Sequence, residues 1–277
     1  MIELLSYDFM VRALVAALLV GLAAPAVGTF IVQRRLALLG DGIGHVALTG
    51  VALGFLTGTA PVLTAVVVAV LGAVAIELVR ARGRTTGDVA LALLFYGGIA
   101  GGVLLIGLAP GGSNATLTSY LFGSISSVTT EDIWVIALLA AFVLGVVAAF
   151  GRQLFVLCQD EEVAKVSGLP VRFLSLLIAV TAALTVVIAM RVVGLLLVSA
   201  LMVVPVATGQ QLTRGFAATM LAAMAIGVAA TVGGLTTAFY AGVSPGAAIV
   251  LIALGGFTVA LGVGRFVRRG RAREVTP

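Results

Sequence analysis

The chain has 277 residues, 61% of them hydrophobic and only 10% charged, with a mean hydropathy of +1.26. Soluble domains carry about 25% charged residues, so a soluble enzyme or binding module is excluded. The net charge of +5 does not mark a nucleic-acid binder: five arginines fall in RFVRRGRAR (265–273) and three in RARGR (80–84), as expected of cytoplasmic flanks of membrane spans.

From the N-terminus, MIELLSYDFMVR carries Glu3 and Asp8 and no cationic run, so the first apolar stretch reads as a retained span rather than a cleaved signal. Apolar segments follow at 11–32, 42–58, 60–79, 89–109, 132–150, 171–190, 192–209, 216–239 and 246–266. Each crossing takes about 20 residues, which leaves room for eight or nine helices and little else. No segment alternates in polarity, which argues against an outer-membrane barrel. The expected fold is all-α: one polytopic transmembrane domain over 1–277, rich in small residues for close packing in lipid. No internal repeat is visible. The lone Cys158 excludes an internal disulfide and a multi-cysteine zinc site.

The loop after the first segment opens RRLALLGDGIGHVALTG (34–50), which holds the only histidine. Asp41 and His45 are four residues apart and share a helix face. An ionisable side chain inside an apolar span costs at least about 2.5 kcal/mol, so it normally faces a cavity and has a task. Carboxylate plus neutral imidazole suits zinc, and added oxygens suit manganese. Against this stands a structural reading, with Asp41 capping the helix and His45 bonding a neighbour. Arg34 and Arg35 are either interfacial anchors or part of a path through the membrane. The first choice gives nine crossings with an external N-terminus; the second allows eight.

Further along, Glu77 and Arg80 form an interfacial pair, and Asp88 opens a helix as a cap or first-turn acid. The Gly/Ser/Thr-rich stretch 109–132 contains SYLFGSI, too short to cross and consistent with a re-entrant helix. The interior stretch 151–172 is the most charged and holds the only lysine, Lys165. There Asp160, Glu161 and Glu162 open a short amphipathic helix that Gly168 and Pro170 stop. Arg191 is expected at an aqueous end. Pro205 is expected to kink a span, and Pro245 to start the last one. No H-E-x-x-H and no phosphate-binding G-x-x-x-x-G-K-[ST] is present, so the chain does not hydrolyse nucleotide itself.

Five blocks in order resemble the membrane permeases of zinc and manganese ABC importers, closest to the bacterial zinc permeases. They are RRLALLGDGIGHVALTGVALG, GDVALALLF, SYLFGSISSVTTEDIW, DEEVAKVSGLPV and MRVVGLLLVSALMVVPVATGQQL, nearly end to end. Three places depart from the family pattern: Thr116 and Ser124 stand where relatives have acidic or amide groups, and Gly242-Val243-Ser244 precede the Pro-Gly of the last span.

The resemblance implies a multi-pass permease of the bacterial plasma membrane, in contact with lipid and not with nucleic acid. It implies a homodimer with cytoplasmic ABC ATPase subunits, fed by an extracytoplasmic metal-binding protein. Asp41 and His45 would hold a transported Zn2+ or Mn2+, zinc first, with no permanently bound cofactor. Arg34 and Leu38 would be gate candidates. Asp160, Glu161, Glu162, Ala164, Lys165 and Gly168, within a cytoplasmic coupling helix at 159–168, would face the ATPase. Gly194 and Pro205 would serve kinking and packing, and the basic tail 265–277 would be cytoplasmic. Because both ligands bind metal deprotonated, uptake would fall as pH drops through the histidine's titration. A gradient-driven transporter or channel is the alternative from another class, and an intramembrane Ser/His hydrolase a third.

Overall fold

The computed structural model describes residues 6–81, 87–109, 114–124 and 128–274, with backbone alone at 81, 87–88, 90, 114–117 and 263–274. The RARGR loop beyond Ala81, and the side chains of Asp88, Thr116 and the basic tail, therefore lie outside the described residues. Eleven helices are described: α1 Asp8–Gln33, α2 Leu39–Thr57, α3 Pro61–Ala81, α4 Gly87–Leu108, α5 Asn114–Phe122, α6 Thr130–Gln159, α7 Glu161–Val166, α8 Val171–Met190, α9 Leu195–Leu212, α10 Phe216–Ala241 and α11 Pro245–Glu274. Nine of these are long and apolar enough to cross a membrane; α5 and α7 are not.

α1 and α8 form the centre, with 72% and 78% of their apolar windows buried. α2, α6, α9 and α10 pack around them, while α3 and α4 present most of their surface outward. In lipid no hydrophobic force holds helices together, so contact depends on how closely backbones approach. A Cβ at Gly21 would stand 2.6 Å from Thr231 Oγ1, and one at Gly227 would stand 2.5 Å from the Gly21 carbonyl oxygen. Only glycines allow α1 and α10 to cross there. The first apolar stretch is thus part of the helical core.

The connections sort to two faces. At one, Arg34 meets Glu161 and Ser175, and a shared cavity joins Arg34, Arg80, Lys165 and Arg172. At the other, Arg12 meets Thr130, and Ser244 donates to the Phe122 carbonyl oxygen. The first face collects Arg34, Arg35, Arg80, Arg152, Lys165, Arg172 and Arg214; the second has Arg12 and Arg191. The positive-inside bias makes the first face cytoplasmic. Because Arg34 and Arg35 lie there beside α7, the nine-crossing count holds and the described N-terminal end faces outward.

Local signals set the ends. Asp160 caps α7, its Oδ1 accepting from the backbone N–H of Glu162 (2.8 Å) and Val163 (3.2 Å). Gly168, at φ +75°, ends α7: its N–H donates to the Lys165 carbonyl oxygen, and that of Leu169 to Ala164. This pair of bonds is a Schellman motif, and the left-handed φ favours glycine. α6 is longer than the apolar segment 132–150, because Gly151 to Gln159, a mixed stretch with Leu154, Leu157 and Cys158 buried, continues the helix into the cytoplasmic face. Pro245 is the first residue of α11.

Candidate functional site

α2 begins without a side-chain cap: Leu38 is its N-cap residue, and Asp41 lies inside the first turn. The capping reading of Asp41 therefore fails. Its Oδ1 instead accepts a hydrogen bond from Ser199 Oγ of α9 at 3.3 Å. Gly40 and Gly44, one turn apart, face α9, where Cβ atoms would stand 3.1 Å from Ser199 Oγ and 3.5 Å from Leu195 Cδ1. Gly42 faces α4, where a Cβ would approach Leu91 to 2.9 Å. Alternating glycines thus insert α2 between two helices, with Asp41 and His45 on the stripe between.

His45 is only 5% exposed. The edge of its ring meets Phe95 of α4, centroids 4.5 Å apart at 78°. A Cβ at Gly98 would stand 2.6 Å from the His45 carbonyl carbon, so α4 lies against the α2 backbone at this level. Thr49, one turn on, donates to the Gly98 carbonyl oxygen at 2.8 Å and holds the same contact. His45 Nδ1 is buried and has no hydrogen-bond partner among the described residues. The reading in which His45 simply bonds a neighbour fails at this nitrogen. An orphaned buried polar atom costs about 1–3 kcal/mol, which a ligand can relieve. Among the described residues no cluster of three or more His, Cys, Asp or Glu side chains is present. One chain therefore offers a carboxylate, an imidazole and a hydroxyl, one to two turns from the cytoplasmic end of α2.

The gate candidates separate in character. Arg34 is largely buried, its side chain 9% exposed, with Nη1 donating to Ser175 Oγ at 3.0 Å and Nη2 3.5 Å from Glu161. Leu38 is 67% exposed and lines the cytoplasmic cavity with Arg34. On α7, Lys165 pairs with Glu161 (3.4 Å) and Glu162 (2.8 Å), which raises its pKa. Ala164 is the buried anchor of α7. Gly194 lies not within a helix but at the turn before α9, at φ +87°, with a Cβ position blocked by the Phe122–Gly123 backbone. Its role is packing of α5, not a kink. Pro205 is buried inside α9, which continues through it to Leu212.

Arg191 follows the last residue of α8, at the outer end of the span as expected, but it is held by protein rather than by water. Its side chain is 13% exposed, donates to Tyr120 Oη at 3.0 Å and forms an ion pair with Asp132. Asp132 also closes a capping box with Thr129 at the start of α6. This outer-face knot ties α5, α6 and the α8–α9 turn together. Glu77 and Arg80 pair as expected, at 2.8 Å. Sequence reading missed Ser199, Phe95 and the Asp132–Arg191 pair. Only the paired signs of the last gave a signal, and 59 residues separate them.

The ABC 3 transport family profile matches residues 6–264. The manganese transport system membrane protein MntC of Halalkalibacterium halodurans is 34% identical, over 99% of this chain and 96% of its own length. A probable metal transport system membrane protein of Treponema pallidum is 34% identical, over 98% and 100%. The solved PsaBC complex of Streptococcus pneumoniae superposes with a TM-score of 0.84 at 33% identity, covering 93% of this chain and 92% of that one. The chain belongs to the ABC 3 transport family, as its resemblance to metal-importer permeases implied, and is the multi-pass membrane permease subunit of an ABC importer rather than an enzyme.

Proposed function

We propose that this permease imports divalent transition-metal ions, manganese ahead of zinc, with Asp41 and His45 as its transient ligands. The observation that carries the assignment is the buried, unpartnered Nδ1 of His45 one helical turn from Asp41, in a chain of this family. The zinc preference expected from sequence finds no support in these relatives, one of which is named for manganese. The donor set points the same way. Carboxylate and hydroxyl oxygens with a single imidazole suit a hard cation, whereas zinc sites draw four ligands mostly from nitrogen and sulfur. One chain supplies too few ligands to hold an ion tightly, which suits release; a second copy across a two-fold axis would double them.

The partners follow from the same reading: a homodimer, ATPase subunits seated on α7, and an extracytoplasmic metal-binding protein on the outer face. Movement of α7 would be felt at Arg34, whose guanidinium is paired with Glu161, and so at the elbow leading through Leu38 into α2. That gives ATP binding a short route to Asp41, seven residues after Arg34. The test is uptake of radiolabelled manganese and zinc by cells that lack their own importers. They express the assembled importer with the wild-type chain or His45→Ala. We expect manganese uptake above zinc, abolished in the variant without loss of assembly. Undiminished manganese uptake by His45→Ala would remove the ligand role, and zinc uptake alone would reverse the metal order.

A further inference from the structure

The cytoplasmic face carries a cavity of about 1150 Å3 between the ends of α2 and α3, α7 and the start of α8. Five cationic residues line it, Arg34, Arg35, Arg80, Lys165 and Arg172, against two acidic ones, Glu77 and Glu161. The acids are already engaged: Glu77 with Arg80, and Glu161 with Arg34 and Lys165. Arg35 and Arg172 have no ion-pair partner among the described residues.

Arg35 is also the one non-glycine residue among those described with a positive φ, +58°. It occupies the glycine position of a Schellman motif that ends α1: its N–H donates to the Val32 carbonyl oxygen and that of Leu36 to Ile31. Glycine is the usual residue there, and a side chain held in this region is a strain that function can explain. Strained backbone and an unpaired guanidinium coincide at the cavity wall.

The rest of the wall is apolar. Leu38, Leu78 and Phe173 line it and remain 67%, 46% and 50% exposed. They sit where the apolar parts of α3 and α8 meet the cytoplasmic interface. An acidic peptide would match the charge and leave this apolar part wet. An inorganic anion would leave most of the space unfilled, since pockets of about 300–1,000 Å3 already take drug-sized ligands. An amphiphile with an anionic head satisfies both halves. Basic pockets between helices on the cytoplasmic side are suited to phospholipid headgroups, and arginine forks match a phosphodiester.

We propose that this cavity is a binding site for one anionic phospholipid, its phosphate between Arg35 and Arg172 and the start of its chains along Leu38, Leu78 and Phe173. The site does not depend on which metal is carried. Bound there, the lipid bridges the α1–α2 elbow and the start of α8, flanking α7.

The test uses the assembled importer, purified with its ATPase and reconstituted in phosphatidylcholine discs containing a minor share of phosphatidylglycerol. Native mass spectrometry counts the lipids retained on release. Two basic contacts at a membrane surface correspond to about a 30-fold preference for the anionic lipid. That preference should fall to near unity in the double variant Arg35→Gly, Arg172→Gln. The first change relieves the backbone strain and the second is at the surface, so the variant should remain assembled. Equal retention of the two lipids by the wild type, or an unchanged preference in the variant, would overturn the proposal. So would displacement of phosphatidylglycerol by millimolar inorganic phosphate, which would mark an anion site without a lipid.

Discussion

Gly97 and Gly98 are adjacent on α4 and differ in one respect that can be tested. A Cβ at Gly98 would lie 2.6 Å from the His45 carbonyl carbon and 2.7 Å from the Val46 nitrogen; at Gly97 nothing lies within 4 Å. Carbon atoms rest at about 3.5–4.0 Å, so Gly98→Ala must push α4 from α2 by about 1 Å. The obstacle is backbone on both sides, which no rotamer change relieves. Overpacking of this kind costs about 1–3 kcal/mol. The movement also draws Phe95 from the His45 ring and lengthens the 2.8 Å bond from Thr49 to the Gly98 carbonyl oxygen.

If the strain falls on the ion-bound geometry, apparent metal affinity weakens by about 5- to 150-fold. Gly97→Ala fills open space and gains up to about 1 kcal/mol of helix propensity. Metal uptake against concentration, together with thermal melting of the purified importer, distinguishes the two. Gly98→Ala should raise the half-saturating metal concentration and lower the melting temperature, while Gly97→Ala should change neither adversely. Wild-type behaviour of Gly98→Ala, or equal damage by both substitutions, would refute the argument that close approach of α4 sets the His45 environment.

Two other outcomes follow from the charged groups. Asp132→Asn leaves the mostly buried Arg191 without its counter-ion, and breaking such a pair costs about 3–5 kcal/mol. The variant should melt well below the wild type, and a melting temperature within a degree of it would show that the outer knot contributes little. Asp160→Ala removes the N-terminal cap of the six-residue α7, a loss of about 1 kcal/mol. Uptake should fall while ATP hydrolysis by the assembled importer persists; equal loss of both would point to failed assembly rather than failed coupling.

Much of the architecture was legible in the residues because its signals are local. Nine apolar stretches of spanning length, an acidic cap before EEVAKV and a Gly-Leu-Pro stop after it each act within a few residues. Hydropathy and capping sufficed for α7, for the start of α11 and for the number of candidate spans. The Asp41–His45 pair was visible for the same reason, since four-residue spacing places two groups on one face whatever surrounds the helix.

What packs against that face was not legible. Ser199 is 158 residues from Asp41, and Arg34 is 127 residues from Glu161. Helices that are apolar all round carry no stripe to announce their neighbours, so the sequence alone left their order in space open. The choice between eight and nine crossings was of this kind. It rested on whether Arg34 and Arg35 lie beside the 151–172 stretch, and the pairing of Arg34 with Glu161 decided it. The partner of Arg191 was hidden for a related reason: a charge at the end of a span reads as solvent-bound until Asp132 is brought in by α6. Sequence determined which segments are apolar enough to cross the membrane and where α7 starts and stops, because burial in lipid and helix capping are properties of the segment. Tertiary structure alone decided what Asp41, His45, Arg34 and Arg191 meet, because those contacts depend on how closely glycines let particular helices cross.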